Sequence, residues 1–293
     1  VLISQKSLFC RIAGNMSELP SVKQIYLLEP EGEFANTLSF SDLLHPAEHP
    51  GDYAEIAGDT DAVVLYTSGT TGRPKGAVLA HDQMMVHTSS HCKLVDYSSD
   101  DKTLVCLALS NNFAFSHQML SALYAGATLE INAAFDPKEV LQKIERKGVT
   151  MLYMMPVMFH ALNKHAAAKR VPIPNHLRLA IVAGDKTPFV VLDQFQKIFG
   201  LEMCEGIGMT ETQIYALNPL GEGKKRGSMG LPVTYTEVEV QDDEGNPSPA
   251  GKTGEIAVKG DIIMRSYLNN PEVTAKSFRN GWFLTGDLGC FDE

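Results

Sequence analysis

Residues 67–76, with the sequence TSGTTGRPKG, combine hydroxyl side chains, glycines, a proline and a lysine between two apolar runs. Glycine lets a backbone approach a ligand closely, so successive N–H groups in this segment can form a concave anion site. Lys75 adds a mobile positive charge, and Pro74 limits the motion of the loop. The segment therefore predicts a polyphosphate site made of Thr67, Ser68, Gly69, Thr70, Thr71, Gly72 and Lys75.

The order of these residues differs from the Walker pattern G-x-x-x-x-G-K-[ST], because Gly76 stands where that pattern has Ser or Thr. A polar turn between two strands is the alternative interpretation. Such a turn accounts for the glycines, but it does not account for the hydroxyl side chains together with the lysine.

Two later segments carry single carboxylates beside glycines. Residues 206–211 read GIGMTE and follow LEMC, so we expect a strand over LEMC and then a loop that carries Glu211. A carboxylate oxygen suits Mg²⁺, which usually takes one or two carboxylates plus phosphate oxygens. Residues 281–287 read GWFLTGD, and Asp287 can accept hydrogen bonds from two neighbouring hydroxyls of a ligand. A plain loop and a surface turn are the respective alternatives.

The elements that must position these residues follow from the hydrophobic pattern. Short apolar runs alternate with helical patterns over the first two-thirds of the chain. The strand candidates are KQIYLLEP, AVVLY, GAVLAH, KTLVCLAL, TLEIN, TMLYMMP and LRLAIVAG. One helix is predicted between Asp136 and Gly148, and another opens at Thr187-Pro188 and ends at Gly200. This alternation predicts an α/β fold with a mainly parallel sheet covered on both faces.

The pattern changes after about residue 219. Val238 and Val240 alternate with polar residues, and DEG and NPSPAG are turn signals. Asn270-Pro271 then starts a short helix over PEVTAKSF. The last part of the chain is therefore predicted to be a smaller, β-rich and barrel-like subdomain.

Composition narrows the class of protein. A formal net charge of −10 disfavours a nucleic acid or an anionic membrane as the main partner. No apolar run is long enough to span a bilayer, so no transmembrane segment is expected. The five cysteines, Cys10, Cys92, Cys106, Cys204 and Cys290, show no C-x-x-C spacing, which favours reduced thiols in a cytoplasmic protein.

TSGTTGRPKG resembles the signature loop of the adenylate-forming superfamily, which includes acyl- and aryl-CoA synthetases, luciferases and the adenylation domains of peptide synthetases. All the usually fixed positions of that loop are present, with Arg73 at the variable one. In that family the loop holds the pyrophosphate end of ATP. GIGMTE resembles the segment in which a threonine contacts the α-phosphate and a glutamate binds Mg²⁺, and GWFLTGD resembles the ribose-binding stretch.

The resemblance implies roles for individual residues. Thr210, Glu211 and Lys75 are the implied catalytic residues, with Glu211 also as the Mg²⁺ ligand and Asp287 as the ribose acceptor. The other implied nucleotide contacts are Gly184, Asp185 and Lys186, at the place of the family's adenine loop, and Gly206, Ile207, Gly208 and Met209. GSMGLP at 227–232 and MRSY at 264–267 are similar to structural segments of the family.

The stretch LALSNNFAFSHQMLSALYAGATLEI occupies the position of the family's acid-binding helix. Amino-acid-activating relatives have an aspartate there that pairs with the substrate ammonium, whereas this chain has Phe113. An unpaired ammonium in a buried pocket is strongly unfavourable. The resemblance therefore implies a carboxylic acid with an uncharged acyl or aryl tail, bound by Asn111, Asn112, Phe113 and Gly208. Packing of Phe113 in the core is the alternative.

The implied reaction is ATP-dependent activation of a carboxylic acid to acyl-AMP with release of pyrophosphate, followed by thioester formation with coenzyme A. An adenylation domain that loads a carrier protein, and a nucleotide-binding module without turnover, are the alternatives. Family members continue past GWFLTGD into a mobile C-terminal domain with a catalytic lysine. We therefore expect this chain to be the AMP-binding core of a longer protein, weak or inactive alone. Residues 1–218 would be an N-terminally incomplete α/β subdomain for nucleotide and acid, and residues 219–293 the β-rich subdomain.

A histidine pair and a methionine-rich segment are predicted to have structural rather than chemical roles. His87 and His91 are four residues apart in an expected helix, a spacing compatible with zinc. No H-E-x-x-H arrangement accompanies them, so we predict no metal site there. The methionines of MLYMMPVMF are predicted to fill the core.

Overall fold

A computed structural model describes residues 1–29, 34, 36–44, 54–67, 74–168, 176–218 and 223–292. The chain divides into two units, Val1–Glu55 and Ile56–Glu293. The elements of the first unit are β1 (Leu2–Ser4), α1 (Lys6–Phe9), a 3₁₀-helix (Ala13–Glu18), β2 (Ile25–Leu27), β3 (Leu38–Ser39) and a second 3₁₀-helix (Phe40–Leu44). Strands β1, β2 and β3 form a parallel sheet in that order.

The second unit holds all the other elements. Its strands are β4 (Asp61–Thr67), β5 (Lys75–Ala80), β6 (Lys102–Val105), β7 (Thr128–Ile131), β8 (Met151–Met154), β9 (Leu179–Val182), β10 (Cys204–Met209), β11 (Gln213–Leu217), β12 (Leu231–Pro232), β13 (Thr236–Gln241), β14 (Gly254–Gly260), β15 (Ser266–Tyr267), β16 (Phe278–Arg279) and β17 (Trp282–Gly289). Its helices are α2 (His81–Leu94), a π-helix (Phe113–Leu120), α3 (Ser121–Ala125), α4 (Pro137–Lys147), α5 (Pro156–Ala167), α6 (Phe189–Phe199) and α7 (Pro271–Lys276).

A seven-stranded sheet in the order β12-β11-β10-β9-β8-β6-β7 forms the centre of the second unit. The neighbours from β7 to β10 pair in parallel, and the β10–β11 and β11–β12 pairs are antiparallel. Helices connect the parallel strands, as such connections require. The α/β fold class predicted from the sequence is confirmed.

Both faces of this sheet are covered. Leu152 and Met154 of β8 pack in one core cluster with the apolar sides of α4, α5 and α6. Met151 and Tyr153, which alternate with them, pack in a second cluster with residues of α2, β4 and β5. All four side chains are fully buried, which explains why β8 reads as a continuous apolar run.

Local signals in the sequence placed the predicted helices correctly. Lys138 N–H donates to Asp136 Oδ1 at 2.8 Å at the start of α4, and Gly148 ends this helix with φ +66°. Helix α6 follows Pro188 and ends at Gly200, as expected. Helix α7 begins after Asn270, which accepts a hydrogen bond from Val273 N–H.

The last part of the chain forms a four-stranded antiparallel sheet in the order β13-β14-β17-β16. The predicted β-rich subdomain corresponds to this sheet, whereas the boundary at residue 218 stays a prediction. A third sheet joins β15 to the β4–β5 hairpin in the order β15-β5-β4. Strand β15 therefore connects the sequence MRSY to the hairpin that carries Thr67 and Lys75.

One expectation about local structure was wrong. Residues 206–209 were expected in a loop after a strand over LEMC, but β10 begins at Cys204 and includes Gly206–Met209. Residues 206–209 pair with β11, and the two residues before them pair with β9, so the strand has partners that the glycine-rich pattern does not reveal. Only residues 210–212 form a turn.

All five cysteines are free thiols, with Cys92, Cys106 and Cys204 buried and Cys10 and Cys290 exposed. Met151, Met154 and Met158 fill the core as predicted, and Met155 is partly buried. In the described parts of the chain, no helix is both long and apolar enough to cross a membrane.

Candidate active site

The turn between β10 and β11 places Thr210 and Glu211 at the end of the central sheet. Thr212 N–H donates to the Met209 carbonyl at 3.3 Å, and Met209 N–H donates to Thr212 Oγ1 at the same distance. Gln213 follows with φ +58°, a conformation that a non-glycine residue adopts only when its surroundings hold it there. This tight turn fixes the backbone that carries Thr210 and Glu211.

Gly208 precedes the turn at a point where no side chain fits. A Cβ atom on Gly208 would lie 2.2 Å from the Gln213 carbonyl oxygen and 2.7 Å from Ile214 Cα. The strand register also shifts between Ile207 and Gly208, which bends β10 beside the turn. Glycine is therefore required here by the close approach of two backbones.

A first cavity, which we call the lysine cavity, has a volume of about 620 Å³. Its walls include Thr67, Lys75, Met209, Thr210, Glu211 and Tyr267. The Lys75 ammonium lies 5.1 Å from the centre of the Tyr267 ring, a cation–π distance. Ammonium, hydroxyl and carboxylate groups thus border the same space, which Glu255 and Lys276 also line.

Glu211 is held in this cavity by strands that are distant in sequence. Its Oε1 accepts a hydrogen bond from the Tyr267 hydroxyl at 2.7 Å, and its backbone carbonyl accepts one from Met264 N–H at 2.7 Å. Burial and the neighbouring Glu211 carboxylate raise the pKa of the Tyr267 hydroxyl, which therefore stays protonated as a donor. A fixed carboxylate beside hydroxyl and ammonium groups fits an Mg²⁺ ion shared with phosphate oxygens.

A second cavity, the Asp287 cavity, measures about 640 Å³. Its walls include Gly184, Asp185, Lys186, Asp287 and residues 206–208. Asp287 is exposed on β17 next to Gly286, whose φ of +78° accompanies an irregularity in the β14–β17 pairing. The carboxylate is thus available to a ligand and does not serve the sheet.

The third cavity, the amide cavity, has a volume of about 160 Å³. Asn111, Asn112, Phe113, His117, Gly208 and Gln213 are among its walls. Phe113 also packs against the apolar core. Its position is therefore compatible with contact to an acid in the cavity and with a role in core packing. None of the described residues that line this cavity is Asp or Glu.

The three cavities share residues of β10 and its turn. Gly208 borders both the Asp287 cavity and the amide cavity, while Met209 and Thr210 border both the amide cavity and the lysine cavity. A ligand in any one of them therefore lies next to the others. The described residues with predicted site roles all border at least one of these cavities. Ser68, Gly69, Thr70, Thr71 and Gly72 lie outside the described residues.

Three buried histidines lie behind the amide cavity. The His87 and His117 Nε2 atoms are 3.0 Å apart, and His91 Nε2 lies 3.0 Å from the Tyr153 hydroxyl. Burial lowers the pKa of all three rings, that of His91 to about 4, so they are neutral at pH 7. In the described part of the chain, no three His, Cys, Asp or Glu side chains are grouped to hold a metal ion.

Several residues of these cavities were not predicted from the sequence. Tyr267 was assigned to a structural segment, and Gln213 and His117 had no assigned role. Glu205 borders the Asp287 cavity, and burial raises the pKa of its carboxyl group although Gly227 N–H donates to it. The residues next to Tyr267 and Gln213 in the sequence form no motif that would indicate a binding role for either.

The chain is similar to several proteins of known sequence or structure. The chain is 34% identical over 236 residues to feruloyl-CoA synthase from an Amycolatopsis species, covering 80% of this chain and 48% of that protein. It is 33% identical over 265 residues to 2-succinylbenzoate–CoA ligase from Bacillus licheniformis, covering 89% and 54%. The crystal structure of ATP-bound MatB from Rhodopseudomonas palustris matches with a TM-score of 0.87 and 27% identity, covering 99% of this chain and 56% of that one.

The chain spans about half the length of the curated relatives it matches. A family model with the description AMP-binding enzyme matches residues 1–268. This match extends over both the α/β sheet and the β4–β5–β15 sheet that carries Lys75 and Tyr267. The chain belongs to the family of AMP-binding enzymes.

Proposed function

We propose that this protein activates a carboxylic acid with ATP, forming acyl-AMP and pyrophosphate, and then transfers the acyl group to the thiol of coenzyme A. The observation that carries this proposal is the meeting of the three cavities at Gly208, Met209 and Thr210. An acid, a nucleoside and a polyphosphate bound in them would be in contact at one point. Proximity of that kind is a large part of the catalysis of a two-substrate reaction.

The nucleoside is assigned to the Asp287 cavity. Its exposed carboxylate is suited to accept hydrogen bonds from the two ribose hydroxyls. Gly184, with φ +94°, and Asp185 follow β9 at the end of the parallel strands, where α/β sheets usually bind ligands. The adenine ring would lie between this loop and Ile207.

The phosphates are assigned to the lysine cavity. Lys75 provides positive charge and Thr210 a hydroxyl donor, and Thr67 leads into the TSGTTG segment. Glu211 would hold Mg²⁺, which would neutralise phosphate charge as the pyrophosphate leaves. Donors and positive charge held in place at this cavity would stabilise the charge that develops on the phosphate oxygens.

The acid is assigned to the amide cavity, with its carboxylate at the edge shared with the lysine cavity. A carboxylate oxygen would attack the α-phosphorus there, and the bond from that phosphorus to the pyrophosphate oxygen would break. The described walls offer no carboxylate to an ammonium group, which argues against an amino-acid substrate. Feruloyl-CoA synthase and 2-succinylbenzoate–CoA ligase, by their names, act on acids with an aromatic ring, which supports an aryl acid here.

Carboxylate-dependent release of pyrophosphate from ATP by the full-length gene product tests this function, because this chain alone is expected to be weak or inactive. The panel contains acetate, a medium-chain and a long-chain fatty acid, benzoates and amino acids, each with and without coenzyme A. We expect release of pyrophosphate with acids that have an uncharged aryl or acyl tail, and formation of a CoA thioester when coenzyme A is present. Glu211→Ala should remove most of the release, because Mg²⁺ then lacks its carboxylate ligand.

Two results would contradict the proposal. Near-normal release by Glu211→Ala would remove the metal assignment, and binding of ATP without release with any acid would indicate a nucleotide-binding module. Release without thioester formation would indicate transfer to a carrier protein in place of coenzyme A. The variant Glu244→Ala, which replaces a carboxylate outside all three cavities, is the matched control.

A further inference from the structure

We propose that Lys276, at the end of α7, is a second cationic contact of ATP, which binds the terminal phosphates and makes the site prefer ATP to AMP. This inference rests on the proposed function, because it adds a residue to the lysine cavity, to which the phosphates are assigned. Lys276 lies outside the three motifs that indicate the other nucleotide contacts, and folding alone brings it to the cavity.

The two lysines of the cavity come from different elements. Lys75 is the first residue of β5, whereas Lys276 is the last residue of α7, and both border the lysine cavity. A lysine ammonium acts as a compact point charge on a flexible stem. Two such charges on separate elements can therefore contact different phosphate groups of one ligand.

Hydrogen bonds hold the backbone of α7 beside the cavity. Tyr267 N–H of β15 donates to Thr274 Oγ1 at 2.9 Å. Leu284 N–H of β17 donates to the Ser277 carbonyl at 2.8 Å, directly after Lys276. The end of α7 is thus fixed to both β15 and β17, so the stem of Lys276 starts from a defined place in the cavity wall.

Tyr267 links this helix to the groups that are predicted to act on ATP. Its ring centre lies 5.1 Å from the Lys75 ammonium, and its hydroxyl donates to Glu211 Oε1 at 2.7 Å. Its backbone N–H is the group that holds Thr274 of α7. The position of Lys276 is therefore tied to the same residue that contacts both Lys75 and Glu211.

The Lys276 ammonium is available to a ligand. The residue is exposed, and in the described parts of the chain its ammonium has neither an ion-pair nor a hydrogen-bond partner. By contrast, Lys143, Lys224 and Lys225 each contact a carboxylate. A phosphate that binds Lys276 therefore does not have to break an existing ion pair.

The charges around the lysine cavity support the same role. Its charged side chains, among the described residues, are Lys75, Lys276, Glu211 and Glu255. The two lysines balance the two carboxylates, so removal of Lys276 would leave an excess of negative charge. That excess would disfavour a ligand whose phosphates are themselves anionic.

The borders of the three cavities indicate which phosphates Lys276 would contact. The reacting α-phosphate is assigned to the edge that Met209 and Thr210 share with the amide cavity. Lys276 borders the lysine cavity but neither of the other two. It is therefore assigned to the terminal phosphates, which leave as pyrophosphate.

Titration calorimetry of the full-length gene product with ATP, ADP and AMP tests this role. Mg²⁺ is present and no carboxylic acid is added, so that ATP binds without being consumed. For Lys276→Ala we expect roughly threefold to thirtyfold weaker binding of ATP, because one hydrogen bond to a charged group is lost at a solvent-exposed position. Binding of AMP should stay the same, which also shows that the variant is folded.

Three further variants assign the effect to the charge of Lys276. Lys276→Arg keeps the charge and should retain most of the affinity for ATP. Lys276→Glu should weaken ATP binding more than Lys276→Ala, because a carboxylate repels phosphate. Lys197→Ala is the matched control, since Lys197 is an exposed lysine in the last turn of α6 that borders none of the three cavities. It should bind ATP and AMP as the wild type does.

Failure of this inference is distinguishable from failure of the proposed function. Unchanged ATP affinity in Lys276→Ala, or an equal loss of ATP and AMP affinity, would overturn the inference, while pyrophosphate release with an acid would still support the function. A selective loss of ATP affinity, without pyrophosphate release by the wild type with any acid, would support the inference and contradict the function. Absence of ATP binding by the wild type would overturn both.

Discussion

At the scale of single residues, the chemistry depends on atoms that neighbouring strands hold in place. Glu211 follows a recognisable motif, but the hydroxyl that holds it belongs to Tyr267, which lies 56 positions later in the chain. Asn112 and Gln213, which form the wall of the amide cavity, are 101 positions apart. The residues predicted to act on ATP form contiguous motifs, so the sequence indicates them directly. It did not predict their partners, because folding alone brings these together.

Gly208 provides a test at this scale. In Gly208→Ala the new Cβ would lie 2.2 Å from the Gln213 carbonyl oxygen, and a backbone atom in a paired strand cannot move away easily. We expect a loss of about 1–3 kcal/mol in the free energy of unfolding, the usual cost of overpacking. Chemical denaturation measures this loss, and calorimetry should show weaker binding of ATP, because Gly208 borders the Asp287 cavity, to which we assign the nucleoside.

Gly206→Ala is the matched control for this prediction. Its Cβ would lie 2.8 Å from Leu217 Cδ1, and the end of a leucine side chain can rotate to make room. We expect a smaller loss, below about 1 kcal/mol. Equal losses for the two variants would show that backbone approach at Gly208 is not the constraint.

At the scale of helices and strands, the sequence predicted helix ends correctly where a single residue determines the end. Asp136 and Gly148 mark the ends of α4 because a side-chain cap and a left-handed residue are local properties. The resemblance implied a helix in the stretch that contains residues 113–120, but its π form was not predicted, and neither was the strand over 206–209, since neither has a local signature in this chain. Both lie beside the amide cavity, where backbone pairing and packing outweigh intrinsic preference.

Asp101 shows how one side chain joins several elements. It is 3% exposed and forms a paired contact with Arg178, with Nε to Oδ1 at 2.7 Å and Nη2 to Oδ2 at 2.6 Å. Its oxygens also accept hydrogen bonds from Ser98 N–H and from the Thr150 hydroxyl. Burial alone would raise the pKa of this carboxyl group, but Arg178 and the hydrogen bonds outweigh it and lower the pKa to about 2.

Asp101→Ala should therefore destabilise the fold. Breaking a fully buried pair costs about 3–5 kcal/mol, and we expect about 2–3 kcal/mol because Arg178 is 36% exposed. The contribution of a carboxylate with a lowered pKa is present above about pH 4 and is lost as the pH falls towards 2. Denaturation at pH 7 and at pH 3 should thus show a smaller difference between variant and wild type at pH 3.

Glu130→Ala tests whether any ion pair would have the same effect. Glu130 contacts Lys143 at 2.7 Å, but both side chains are partly exposed, at 27% and 20%. A pair at the surface contributes at most about 1 kcal/mol. If Glu130→Ala lowered the free energy of unfolding as much as Asp101→Ala, burial of Asp101 would not be the reason for its larger contribution.

At the scale of the whole molecule, the acidic composition and the buried histidines affect acid stability in different ways. The net charge of −10 approaches zero as the pH falls towards the isoelectric point of about 5.4, which reduces charge repulsion and also solubility. His87, His91 and His117 have the opposite effect on stability, because their pKa values are lowered in the folded state. This cluster was not predicted from the sequence, since His117 lies in a different helix from the other two.

The sign of the histidine effect follows from proton binding. Between the ordinary histidine pKa of about 6.5 and the lower folded values, the unfolded chain binds protons that the folded chain does not. The free energy of unfolding should therefore fall with decreasing pH, by up to about 1.4 kcal/mol per pH unit for each histidine. For His91 this loss extends from about pH 6.5 down to about pH 4.

Urea denaturation at pH 7.5, 6.5 and 5.5, at low protein concentration to limit precipitation, measures this slope. His91→Gln keeps a group that can bond to the Tyr153 hydroxyl but removes one titrating ring, so the slope should decrease by about one proton. His160→Gln makes the same change at an exposed position of α5 and is the matched control. If His91→Gln and His160→Gln changed the slope equally, the buried histidines would not be the source of the acid sensitivity. A selective effect of His91→Gln would show that acid acts on the same cluster that forms the back of the amide cavity.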